Sequence, residues 1–232
     1  MQKTLEHKTA ILIFANSPEE DGRQKRIAKS DLLFSELNRQ TLLKVEKTKL
    51  PFFQITQEKQ SGRSFGERIV NAIQHVYDSG FDNVIAIGND SPQLKTTHLL
   101  ETNANLAKGK TVIGPAFDGG FYLLGLNRTN FNASLFKRLP WKLLTLFTQL
   151  SSLFESKQVA IHRLETLHDI DSKRDIEKVL NYTKSLSKIF LKFLASFCKK
   201  VILTFKQRKT SCQQIYSSSF FNKGSPYSAL LQ

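Results

Sequence analysis

The chain predicts an α/β fold: a mostly parallel sheet covered by helices on both faces, followed by a basic helical tail. Three observations carry this reading. Short apolar runs alternate with longer segments of helical periodicity between Thr9 and Tyr182, the pattern of strands joined by crossover helices. The runs at 9–14 and 83–87 are apolar nearly throughout, as strands buried on both faces are. Composition then changes: residues 183–232 hold nine Lys or Arg and no Asp or Glu. The expected organisation is one three-layer domain over 1–182 and a basic amphipathic helix with a flexible tail over 183–232.

With 232 residues and 40% hydrophobic content, the chain can bury one sizeable core. Its two cysteines, Cys198 and Cys212, form no disulfide framework or metal spacing. The polar start, Met1 to Ala10, predicts no secretory leader, so a reducing cytoplasm is the expected compartment. Nine of the fourteen excess positive charges lie in the tail. A nucleic-acid binder would therefore rest on tail charge alone, without a basic-aromatic motif in the core, and is disfavoured. Within 189–205 the lysines at 192, 199 and 200 interrupt an apolar run. Each would cost about 2.5–3.5 kcal/mol at a bilayer centre, so spanning is not expected. Lys184, Lys188, Lys192 and Lys199 recur at helical spacing. The segment 184–206 could pack on its own domain, lie peripherally on the anionic inner membrane surface, or meet a partner protein.

The elements read in order as follows. A strand over 9–14 runs into a turn-rich loop, Asn16 to Gly22, and the basic cluster Arg23, Lys25, Arg26. Ser30 can cap a helix reaching about residue 47. A strand at 51–55, a helix at 67–77, a strand at 83–87 and a helix at 96–107 come next. Strands at 111–113 and 121–126 flank Asp118-Gly119-Gly120. Helices at about 131–137 and 143–156, a strand at 159–164 and a helix at 175–182 complete the domain. Trp141 is expected to anchor the core.

Ligands of open α/β sheets bind beyond the carboxyl ends of the strands. Three acidic turns fall there: Asp90, Asp118, and Asp169 with Asp171. Carboxylates gathered by the fold can hold a divalent cation between phosphate oxygens. Gly119 and Gly120 let the backbone approach a ligand, and Gly22, Arg23, Lys25 and Arg26 supply a flexible turn with positive charge for phosphate. Each feature also has a plainer role, as turn, helix cap or solvated loop. His75, His98, His162 and His168 make no metal-ligand spacing.

Gly62-x-x-Phe65-Gly66-Glu67-Arg68, Gly88-Asn-Asp90-Ser-Pro92, the Gly114–Gly125 stretch Gly-Pro-Ala-Phe-Asp-Gly-Gly-Phe-Tyr-Leu-Leu-Gly, Pro140-Trp141 and Asp169-Ile-Asp171 follow one another in a recognisable order. Through them the chain resembles, over roughly residues 9–182, an uncharacterised bacterial family. That family is labelled a GT-A-superfamily glycosyltransferase or radical-SAM/selenodomain-associated transferase, related to GT-A nucleotidyltransferases. The resemblance implies a Rossmann-like GT-A (nucleotide-diphospho-sugar transferase-like) three-layer sandwich and metal-dependent glycosyl or nucleotidyl transfer from a nucleotide-activated donor to an acceptor. It implies Mg²⁺ or Mn²⁺ as cofactor, Asp90 and Asp171 as metal ligands, and Asp90 and Asp118 in catalysis. One motif departs from the family pattern. Members carry Lys-Thr-Arg-Leu in the first loop, whereas Arg23-Gln-Lys-Arg-Ile27 stands here, with Gln24 in the lysine's place and Glu19 and Glu20 close by. The alternative is thus a catalytically degenerate module that binds a nucleotide or sugar phosphate as a regulator or scaffold.

Overall fold

A computed structural model of the chain describes residues 8–25, 27–141, 143–181 and 186–198. Arg26 and the tail beyond residue 198 lie outside the described residues. Strands β1 (Thr9–Phe14), β2 (Phe52–Ile55), β3 (Asn83–Ile87), β4 (Thr111–Pro115), β5 (Phe121–Asn127) and β6 (Ile161–Arg163) form a six-stranded sheet in the order β2-β1-β3-β5-β4-β6. β1 pairs in parallel with β2 and β3, and β4 in parallel with β6. Only β5 runs against its neighbours, because the short Asp118-Gly119-Gly120 turn returns the chain as a hairpin where a crossover helix would not fit.

Alternate residues of the buried strands serve opposite faces. Ala10, Leu12 and Phe14 of β1 and Val84 and Ala86 of β3 join one core cluster. Ile11, Ile13, Ile85 and Ile87 join the other. Helices α3 (Phe65–Asp78), α5 (Ala133–Lys137) and α6 (Leu146–Ser156) contribute to the first layer, and α4 (Thr96–Leu106) to the second. This is the mixed α/β, GT-A-like layering expected. The expected anchor Trp141 is 6% exposed, and its Nε1 donates to the Phe136 carbonyl at 2.7 Å. The helix α3 starts earlier than periodicity suggested. Ser64 and Glu67 form a reciprocal capping box there, which satisfies backbone N–H groups of the first turn.

The turn-rich loop expected at 16–22 is instead mostly a helix, α1 (Pro18–Gln24). Ser17 caps it, Pro18 opens it, and Glu19, Glu20 and Asp21 fill its first turn, all favourable at a helix N-terminus. Gly22 is therefore no flexible hinge. A Cβ on it would lie 3.0 Å from the Ser30 hydroxyl oxygen, so glycine there permits close packing against α2 (Ser30–Glu46). Ser30 does not cap α2: Lys29 occupies the cap position with φ 58°, and the Ser30 hydroxyl donates to the Gly22 carbonyl at 3.2 Å. At α7 (Lys173–Leu180) the capping residue is Ser172, paired with Asp175. That leaves the Asp171 carboxylate free for another role.

Residues 188–198 form a further helix, α8. Its Phe190 and Leu194 are buried in a third apolar cluster with Leu33, Phe34 and Leu37 of α2, Ile27, Ile170, and Ile176 and Val179 of α7. Its apolar side thus packs on the domain, while Lys188, Ile189 and Lys192 stay exposed. No described helix is long and apolar enough to cross a membrane. Leu194→Ala should lower stability in urea unfolding by about 2–5 kcal/mol, the range for a truncated core leucine. Ile189→Ala, at a side chain 83% exposed, should change it by no more than about 0.5 kcal/mol. Equal, small effects would mean that α8 does not close the third cluster.

Candidate functional site

Every strand except β5 points the same way, so the loops after β1, β3, β4 and β6 gather at one edge of the sheet. The chain leaves β1 towards β2 on one side and returns to β3 on the other, which opens a crevice between the ends of β1 and β3. A cleft of about 500 Å³ occupies this edge. Asn16 follows β1 into it, Gly88 to Asp90 follow β3, Asp118 follows β4, and Asp169 and Asp171 follow β6. The three acidic turns of the sequence therefore converge.

Backbone pairing fixes that convergence. The Ile170 N–H donates to the Asp90 carbonyl at 2.9 Å, and the Phe117 N–H to the Leu167 carbonyl at 3.0 Å. The Ser91 hydroxyl donates to the Asp169 carboxylate. Lys25, delivered by the C-terminal end of α1, crosses from the other side. Its Nζ donates to Asp90 Oδ2 at 2.9 Å, lies 3.0 Å from Asp171 Oδ1, and donates to the Ile170 carbonyl at 3.2 Å. The ammonium also stands 4.8 Å from the centre of the Phe34 ring.

The anchoring network of α1 was not legible in the sequence. Asp21 is only 3% exposed. Its two oxygens accept from Asn16 Nδ2 and Asn89 Nδ2, each at 3.0 Å. Asn89 also donates to Asn38 Oδ1 at 2.6 Å. An acidic first-turn residue reads locally as helix-dipole complement; only the fold shows that it clamps α1 to the β3 loop. Arg68 was missed as well. It lines the cleft from α3, and its Nε is buried with no hydrogen-bond partner among the described residues. Its place in the Phe65-Gly66-Glu67-Arg68 segment was the available signal. Phe14, Phe65, Phe121 and Trp141 form an apolar wall beside it. The Phe65 and Phe121 rings lie 6.0 Å and 5.7 Å from that of Trp141.

Of the residues singled out from sequence, Lys25, Asp90, Asp118, Gly120 and Asp171 line the cleft. Asp118 is exposed at its mouth and accepts from the Gly120 N–H at 2.9 Å, which holds one carboxylate oxygen in place. Gly22 and Arg23 do not line it. Gly22 packs inside α1, and the Arg23 side chain, 79% exposed, pairs with Glu20 at 3.4 Å. Gly119 has φ +88°, and a Cβ there would lie 2.5 Å from the Leu144 carbonyl oxygen. Its role is to make the hairpin turn under the 143–145 segment. Arg26 lies outside the described residues.

Burial opposes the charge of Lys25, but Asp90 and Asp171 outweigh it and hold the ammonium protonated well above the ordinary lysine range. Burial, then repulsion from Asp90, pushes the Asp169 carboxyl well above the ordinary carboxylate range, against the hydrogen bond from Ser91. Asp171 moves up through burial, tempered by Lys25 and reinforced by Asp90; its side chain is 53% exposed, which weakens the effect.

The divalent ion implied by the resemblance would have to sit on Asp90 and Asp171. As folded, that donor set does not fit it, because the Lys25 ammonium already stands within 3.0 Å of both carboxylates. Among the described residues no group of three His, Cys, Asp or Glu side chains is placed to hold a metal ion.

Asp169 gives a testable pH dependence. Its folded value lies above its unfolded one, so the folded state holds the proton more tightly. Stability is then lost as pH rises from the ordinary carboxylate range through the folded value. Asp169→Asn should raise the thermal midpoint at about pH 7, with the gain vanishing near about pH 4, where the unfolded carboxyl also binds a proton. A midpoint lowered equally at both pH values would show instead that the charge is well accommodated.

Comparison with known proteins agrees with this architecture. A Desulfovibrio desulfuricans G20 protein described as a candidate nucleotide-diphospho-sugar transferase superposes with a TM-score of 0.72 at 21% identity, covering 86% of this chain and 97% of its own. At that identity the likeness speaks for the fold. More distant are 4-diphosphocytidyl-2C-methyl-D-erythritol synthase of Anaerococcus prevotii DSM 20548 (TM-score 0.49, 12% identity, 77% of this chain and 99% of that one) and the manganese complex of Rv0371c from Mycobacterium tuberculosis H37Rv (0.43, 12%, 75% and 98%). Neither carries weight here. No curated protein matches the chain. Residues 23–142, more than half of the sequence, match the model of a family described as uncharacterised proteins conserved in bacteria, DUF2064. The chain belongs to that family.

Proposed function

We propose that the cleft binds a nucleotide-activated donor and that the protein is a transferase, moving a glycosyl or nucleotidyl group to an acceptor. The observation that carries this is Arg68: a guanidinium lining a switch-point cleft, its Nε buried and without a partner among the described residues. A buried donor without an acceptor costs about 1–3 kcal/mol, and an oxyanion of the ligand would supply the missing acceptor. Arginine suits this because its planar fork matches phosphate oxygens. The wall of Phe14, Phe65 and Trp141 beside it offers an apolar surface to a base or sugar ring.

In this reading an acceptor hydroxyl bonds to the reacting carbon or phosphorus of the donor, and the bond to the departing phosphate oxygen breaks. Asp118, at the cleft mouth with one oxygen fixed by the Gly120 N–H, takes the hydroxyl proton on its other oxygen. Arg68 receives the negative charge that builds on the leaving phosphate. Asp90 is a positioning residue that holds Lys25 and, through its carbonyl, the Ile170 turn.

The test is thermal stabilisation of the full chain by a panel of nucleoside triphosphates and nucleotide sugars. A ligand at about 100 times its dissociation constant should add about 2.7 kcal/mol. Arg68→Met should weaken that binding at least tenfold while the free protein stays folded. Asp118→Asn should leave binding intact and lower turnover by about 10²–10⁴-fold, the usual share of a general base. No stabilisation by any member of the panel would sink the proposal. Binding without turnover would identify a regulatory or scaffolding module instead.

A further inference from the structure

We infer that Lys25 is the resident counter-cation of the cleft, standing where a divalent ion would bind and keeping one off the Asp90–Asp171 pair in the free protein. The inference rests on the reading of the cleft as a donor site, but its chemistry is separate. An ammonium has three N–H donors and no acceptor. Here all three have partners: Asp90 Oδ2, Asp171 Oδ1 and the Ile170 carbonyl, at 2.9, 3.0 and 3.2 Å. The Phe34 ring adds a further contact 4.8 Å away. The charge is thus fully satisfied by protein groups, and its side chain is only 16% exposed.

Its geometry makes it hard to displace. Lys25 follows α1 directly, and α1 is clamped by buried Asp21 to Asn16 and Asn89. A cation entering between Asp90 and Asp171 would have to break both ion pairs and leave a half-buried ammonium without anions, a costly state. Removing the ammonium reverses the balance. Two carboxylates that had shared one positive charge would then face each other, beside Asp169 and Asp118, with an unmet demand for a cation.

The decisive experiment titrates Mn²⁺ alone into the full chain, without nucleotide, and follows free Mn²⁺ by electron paramagnetic resonance. In parallel, thermal midpoints are measured in EDTA and in Mn²⁺. Lys25→Met should bind Mn²⁺ at least tenfold more tightly than the natural protein. It should also melt lower in EDTA and regain stability on adding Mn²⁺, whereas the natural protein should be indifferent to the metal. Lys25→Gln repeats the test should the methionine variant not fold. Mn²⁺ binding to the natural protein as tight as to either variant overturns the inference, as does failure of both folded variants to bind it. The natural protein's own titration decides even if neither variant folds: tight Mn²⁺ binding there refutes a resident ammonium, and weak binding supports it. Because no nucleotide is present, a protein that passes here yet ignores every nucleotide would lose the transferase reading and keep this one.

Discussion

A half-buried ammonium must be neutralised where it stands, and much of this molecule is arranged around that requirement. Lys25 draws on the β3 turn through Asp90, on the segment after β6 through Asp171 and the Ile170 carbonyl, and on α2 through the face of Phe34. Three segments distant in sequence are thereby held around one charge. The Ile170–Asp90 backbone bond and the Ser91–Asp169 contact reinforce the same junction. Without that cation the Asp90 and Asp171 carboxylates would face each other unneutralised at this edge.

The sheet supplies the frame for this junction. Parallel pairing of β1, β2 and β3, and of β4 and β6, sends their carboxyl ends to one edge, while the reversed β5 knits the two groups together. The same reversal puts the Asp118 hairpin at that edge, in the cleft that Arg68 lines from α3. Cation and carboxylate thus reach the cleft from different layers, and neither depends on loop closure to be in place.

Much of the fold was legible because buried strands leave an unambiguous trace. The runs at 9–14 and 83–87 carry a polar residue only at their first position, and both strands match the expected spans. The turns at Asp90 and Asp118 were legible for a related reason: each follows such a run. What failed was local in appearance and non-local in cause. The helix α1 hid behind Gly22, a residue that reads as a break yet here makes room for Ser30. Asp21 reads as a surface acid and is a buried clamp. Lys25 and Arg23 look interchangeable in a basic cluster, but two residues are roughly half a helical turn, which sends one into the cleft and the other into solvent. Arg68 was signalled only by its place in the Phe65-Gly66-Glu67-Arg68 segment, and packing alone shows that its Nε has no acceptor among the described residues.

The position of α8 carries a consequence for how this protein is cut and varied. Phe190 and Leu194 press on the cluster that contains Phe34 and Ile170, the ring beneath the Lys25 ammonium and the residue whose carbonyl accepts from it. The last described helix is therefore the back wall of the cleft floor, remote in sequence but one layer away in space. A recombinant boundary drawn after the sheet domain would strip that wall and loosen the charge it supports. Natural variation in this helix would be felt in the firmness of the cleft floor even though none of its described side chains lines the cleft.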